Sequence, residues 1–181
     1  MSKLETNTID TISGTTNLTI GSTNSSTVTF ESGAATGQNY PAFFMKTTST
    51  SISNSALTKI PFDTATIDTD SAVDTSNNRF TVPSGKGGKY CISYSVGGAA
   101  DSGSTFYRIF TQLYKNGSDS SLLSAVADPR NNYGFAFSVG GSGVIDLNAG
   151  DYIEVYAYIS TGNTAGVTAS RTWLSGFRLG A

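Results

Sequence analysis

Histidine is absent from this 181-residue chain, and cysteine occurs once, as Cys91. The first absence removes Ser-His-Asp and Cys-His nucleophilic arrangements, histidine-ligated zinc and the commonest general base. The second removes any intrachain disulfide and any thiolate metal cluster. Charge is also sparse: 11 basic and 13 acidic side chains leave a net charge of -2. No basic footprint for nucleic acid or an anionic membrane is present. Long apolar runs are missing too, and none approaches the ~20 residues that span a bilayer, so membrane insertion is not expected. The opening MSKLETNTIDTISG has no apolar segment of the secretory type.

Glu, Lys and Leu are scarce, whereas Ser, Thr, Gly, Asn, Tyr and Phe are plentiful. That balance opposes helix and suits strands joined by tight turns, so the chain reads as all-β with one core. Residues 1–38 are rich in Thr, Ser and Asn, and residues 39–181 carry regularly spaced apolar and aromatic positions. Within the first part an approximate repeat lays TNLTIGSTNS, from Thr16, over STVTFESGAA, from Ser26. Leu18 then matches Val28, and Ile20 matches Phe30. Each unit is a strand with one apolar face, which gains stability when identical chains pair about an axis. A short repetitive β stalk is one reading of this segment, and a Ser/Thr-rich linker is the other.

From Tyr40 onward, AFFMKT, ALTKIPF, NRFTVP, KYCISYSV, FYRIFTQLYK, SLLSAVA, YGFAFSV, GVIDL, DYIEVYAYIS and RTWLSGFRL read as strands separated by turn residues. Their number and spacing suit a sandwich or jelly roll. Asn116-Gly117 suits a hairpin, because both residues take positive φ at low cost. GKGGK at 85–89 and GGSGV at 140–144 lack a phosphate-binding pattern and read as turns. Cys91, inside an apolar alternation, reads as a buried small hydrophobe. In DYIEVYAYIS, Ile153, Val155, Ala157 and Ile159 share the face expected in the core. Tyr152, Glu154, Tyr156 and Tyr158 share the other, an amphipathic surface of the kind that interfaces favour.

The order of five pieces resembles the globular heads of the complement C1q and tumour necrosis factor superfamily. They are KIPFD from Lys59, NNRFTVPSGKGGKYCISYSV from Asn77, YKNG from Tyr114, GVIDLNAGDYIEVYAY from Gly143 and WLSGFRLG from Trp173. The resemblance covers about residues 42–180. It implies a jelly-roll β-sandwich that forms a homotrimer, with the two termini together at its base. Tyr156, Tyr158, Trp173 and Phe177 are candidates for the subunit contact, and Leu18, Ile20, Val28 and Phe30 for packing in the stalk. In place of a collagenous Gly-X-Y stalk the chain carries its Thr/Ser/Asn-rich repeat, which resembles fibre and appendage proteins of phages and viruses.

The function this implies is a non-enzymatic virion structural protein, reaching the virion surface on host lysis. Its N-terminal segment would bind other virion proteins, and its head a host surface glycan or protein. A decoration protein that stabilises capsid or tail is the alternative, and a secreted lectin or signalling head a further one. Binding residues concentrate on loops held by rigid scaffolds, and the longest polar candidates are 97–105, 127–134 and 160–170. Asp101, Arg130, Asn132, Tyr133 and Asn163 are the side chains singled out there. No sequence feature marks the carboxylate pair of a glycoside hydrolase. No cofactor is expected. Asp68, Asp70 and Asp74 offer hard oxygen ligands of the kind calcium takes, but without the EF-hand's Gly and closing Glu, and a solvated loop is the preferred reading.

Overall fold

The computed structural model describes residues 40–101, 104–129 and 136–180. The stalk candidates Leu18, Ile20, Val28 and Phe30 and the loop candidates Arg130, Asn132 and Tyr133 lie outside the described residues.

The strands are β1 (Ala42–Lys46), β2 (Leu57–Lys59), β3 (Thr64–Asp68), β4 (Val73–Asp74), β5 (Arg79–Thr81), β6 (Gly88–Ala100), β7 (Phe106–Lys115), β8 (Ser118–Ala127), β9 (Ala136–Leu147), β10 (Tyr152–Thr161), β11 (Ala165–Val167) and β12 (Trp173–Gly180). A short 3-10 turn, Ala169–Arg171, precedes β12. Two antiparallel sheets result. In the first, β6 pairs with β9, β12 and β11, and β12 continues through β1 to β3. In the second the order is β4-β5-β10-β7-β8, with β2 also on β10. The all-β jelly-roll sandwich expected from the alternation is the architecture found.

The sheets close on aromatic and aliphatic side chains. Phe43 of β1 stacks on Phe80 of β5 at 4.0 Å between ring centroids, joining the two layers. Phe106 of β7 meets Phe137 of β9 at 5.2 Å along one flank. Ile153, Val155, Ala157 and Ile159 all point into this core, as their spacing predicts. Tyr94 is buried as well, with its hydroxyl 3.3 Å from that of Thr111, so burial leaves no orphaned phenol.

Three local expectations are corrected. The GGSG stretch is not a turn: β9 runs straight through it, because its glycines lie where side chains do not fit. A Cβ on Gly140 would sit 2.1 Å from the Tyr94 carbonyl oxygen, and one on Gly143 would sit 2.9 Å from Leu123 Cδ2. Cys91 is half-buried and faces outward, since Tyr90, Ile92, Tyr94 and Val96 take the inward positions of β6. The polar loops are shorter than expected, because Gly97–Ala100 extend β6 and Ala165–Val167 form β11.

Tyr40, Gly180 and the turns at 82–88, 116–117 and 148–151 lie at one end of the sandwich, here called the base. Ala100, Asp101, Phe106, Ala127, Ala136 and the connection 162–164 lie at the other, the apical end, as the strand registers require.

Candidate functional site

At the base, Asn116 and Gly117 have φ of 54° and 75° and make the expected hairpin turn. Asp151 ties this turn to its neighbour. Its carboxylate accepts from Lys115 Nζ, Asn116 Nδ2 and the Asn148 amide, each at 2.8 Å. The Lys115 ammonium is the main reason that the Asp151 carboxyl is held down at about 2. These contacts are structural.

The acidic segment at 68–74 is structural in the same way. Asp68 accepts from the Ala72 and Val73 amides at 2.8 and 3.1 Å. Asp74 accepts from the Ser76 hydroxyl at 2.6 Å and from Asn77, and these bonds hold its carboxyl well below the usual carboxylate range. Asp70 accepts from the Thr69 hydroxyl at 2.8 Å. Among the described residues no group of His, Cys, Asp or Glu is placed to hold a metal ion.

At the apical end Asp101 and Asn163 are both exposed, on adjacent connections brought together by the Ala100–Ala165 pairing. Asp101 lines an open depression of about 670 Å3 with Thr50, Ser51, Ala100, Thr168 and Ser170. Hydroxyl groups and small side chains make its wall. Asn54, which the sequence did not mark, fixes one side. It donates to the carbonyls of Thr161 and Asn163 and accepts from the Thr161 amide. An asparagine in the run SISNSAL carries no signal of that role, because its partners lie far along the chain.

The four candidates for a subunit contact lie on opposite sides of the molecule. Tyr156 and Tyr158 are on the outer face of the second sheet, and Trp173 and Phe177 on the outer face of the first. On the second sheet Tyr156 is packed against Tyr114, with ring centroids 4.1 Å apart. Beside it Glu154 is buried and paired with Lys59 at 2.8 Å.

The first sheet's outer face is different. Strand β12 turns Leu174 and Gly176 inward and its bulkier residues outward, because the space facing Gly176 is filled by Ile92 and Phe43. Register then lines up Val144, Cys91, Phe177 and Ala42 across β9, β6, β12 and β1. The next row is Ser142, Ser93, Ser175, Phe44 and Ile67. Val144, Phe177 and Ile67 are 57%, 48% and 51% exposed, and Trp173 stacks on Phe44 at 5.7 Å. Neither row holds a charged side chain. Exposed apolar side chains on several neighbouring strands, with small hydroxyl residues between them, are what a protein contact leaves open.

No family model matches the sequence. The uncharacterized protein YqcC of Bacillus subtilis (strain 168) is 29% identical over 107 residues, which is 58% of this chain and 28% of that longer protein. Among solved structures, murine APRIL at pH 5.0 superposes with a TM-score of 0.58 at 14% identity, covering 78% of this chain and 100% of that one. The globular domain of zebrafish complement 1qA gives 0.54 at 14% identity, covering 77% and 98%. Eiger TNF from S. frugiperda gives 0.54 at 13% identity, covering 78% and 93%. The fold is the C1q/TNF jelly roll. At such identities the likeness is one of fold alone. The C1q/TNF fold fits the order of motifs noted in the sequence, from KIPFD, whose Ile60 and Phe62 are fully buried, to WLSGFRLG, which is β12.

Proposed function

We propose that the chain is a non-enzymatic structural protein of a virus or phage particle, the trimeric head of a fibre or appendage that binds the host cell surface. The observation that carries this reading is the arrangement of three surfaces on one rigid sandwich. Both ends of the described chain are at the base, from which an N-terminal segment can reach the particle. Polar connections bearing Asp101 and Asn163 are at the far end, and a sheet face with exposed Val144, Phe177 and Ile67 lies on the flank between them. Three copies joined through that flank would present three apical sites together, so weak single-site binding would gain by multivalency. The Thr/Ser/Asn-rich composition of residues 1–38 supports a stalk or attachment role for that segment.

The test has two parts. Light scattering on a size-exclusion column is expected to give a trimer for the full chain and for a chain starting at Tyr40. The fluorescently labelled protein is expected to adsorb to host cells, and Asp101→Ala with Asn163→Ala to reduce that adsorption. A monomer in both chains would overturn the trimer. Adsorption that is absent, with infectious particles that lose heat resistance when they lack the protein, would favour a decoration protein instead.

A further inference from the structure

The outer face of the second sheet carries a further feature toward its apical edge, on the opposite side of the sandwich from the outer face of the first sheet. Register aligns Leu57 with Tyr158, Tyr158 with Phe110 and Phe110 with Val126 across β2, β10, β7 and β8. In the neighbouring position Arg108 stands opposite Ser160, whose hydroxyl is 3.0 Å from that of Ser55. Leu57, Arg108, Phe110 and Tyr158 line an open depression of about 320 Å3. Two aromatic rings and an aliphatic side chain form its walls, and the charge in its lining is that of Arg108.

The state of that charge decides what the depression fits. Elsewhere on this face Lys59 is bound to Glu154 and to the Asn77 carbonyl, and Arg79 lies over Tyr152 and beside Asp74. Among the described residues Arg108 makes its contact with the Phe110 ring, at 5.9 Å from its guanidinium to the centroid. Among the described residues it has no carboxylate partner, and the Tyr158 hydroxyl has no hydrogen-bond partner. A guanidinium beside open aromatic faces is a fork for a carboxylate with a stacking platform next to it. An apolar peptide or a neutral sugar would cover the rings but make no use of the exposed guanidinium, whereas a carboxylate would pair with it. A nucleic acid would call for a row of cations, and here the basic residues are dispersed on a chain of net charge -2.

We propose that this depression binds an acidic saccharide, a pyranose bearing a carboxylate. The C–H face of the sugar ring packs on Phe110 and Tyr158, the carboxylate takes the Arg108 guanidinium, and ring hydroxyls meet the hydroxyls of Tyr158 and Ser160. The site lies within one chain. It therefore depends neither on the trimer nor on the virion reading.

Calorimetric titration of the full chain with trigalacturonic acid and with sialyllactose, each beside its methyl ester, tests it. At least one acid is expected to bind roughly tenfold or more tightly than its ester, with the preference falling as salt is raised. Arg108→Gln is expected to bring the acid down to the level of the ester, Arg108→Lys to retain part of the preference, and Phe110→Ala to weaken both. Arg171→Gln, at the apical end, is expected to change nothing. Melting curves of the variants separate loss of the site from loss of the fold. Equal binding of acid and ester, absence of binding by both acids, or an unchanged preference in Arg108→Gln would each overturn the proposal. So would loss of the preference in Arg171→Gln, which would place the charge contact at the apical end.

Discussion

Gly140 and Gly143 show how a single residue type can mark two opposite things. Glycine clusters ordinarily announce turns, yet here they let β9 run close beneath its neighbours. At Gly140 the obstacle to a side chain is the Tyr94 backbone carbonyl, which cannot move without breaking the β6–β9 ladder. At Gly143 the obstacle is the end of the Leu123 side chain, which can rotate away. Gly140→Ala is therefore expected to cost about 3 kcal/mol or more, and Gly143→Ala only about 1 kcal/mol. Urea denaturation of the two variants checks this, and equal costs would mean that backbone crowding is not the reason for Gly140. Cys91 is a second case at this scale. Its strand position was legible from KYCISYSV, but its direction was not, since Tyr90 and Tyr94 compete with Cys91 and Ser93 for the inward side and only the opposing sheet settles which set is buried.

Among the elements, β10 and β12 differ in how far their sequences reveal them. β10 alternates aliphatic with polar or aromatic residues, and its inward face is the aliphatic one. β12 alternates the bulkier Trp173, Phe177 and Leu179 with Leu174, Gly176 and Arg178, and bulk alone would have turned the first set inward. The structure does the reverse, because Ile92 and Phe43 already occupy the space that Gly176 faces. At the base, the β7–β8 and β9–β10 turns are fastened by Asp151, which gives a pH signature. A carboxyl whose folded-state value lies near 2, below the ~3.9 of an unfolded aspartate, stabilises the fold fully above pH 4 or so. That contribution is lost as pH falls through about 2. Asp151→Asn is thus expected to be roughly 1–2 kcal/mol less stable than the parent at pH 7, with the gap closing toward pH 2. Urea midpoints measured across that range check it, and a gap independent of pH would assign the loss to something other than the carboxylate's charge.

For the molecule as a whole, the decisive feature is that the two outer faces are unlike. The first sheet presents a row of Val144, Cys91, Phe177 and Ala42 beside a row of serines with Phe44 and Ile67, flanked by Lys89, Asp146 and Lys46, and the second presents aromatic residues among ionised groups. If the first is the subunit contact, Phe177→Asp places a charge in its centre and is expected to yield monomers with unchanged β content by circular dichroism. Cys91 reports the same event, because it lies beside Phe177 and Val144. Its thiol is expected to react slowly with a maleimide in the parent and quickly in Phe177→Asp. Rapid labelling of the parent would mean that this face is open to solvent. Tyr158→Ala, on the opposite face, is expected to leave the mass unchanged.

The sequence by itself determined the all-β class, most strand positions, the Asn116-Gly117 hairpin and the inward face of β10. These follow from local rules: alternation has a period of two, and positive φ favours asparagine and glycine. Only the tertiary structure decided that the GGSG glycines are packing sites, that Cys91 faces outward, and that Tyr156 and Tyr158 stand on the face opposite Trp173 and Phe177. It also brought Asn54 to the apical connection and set Arg108 beside Phe110 with no ion pair among the described residues. Each of these depends on which strand lies across from which, and the partners are separated by long stretches of chain over which local pattern carries no information.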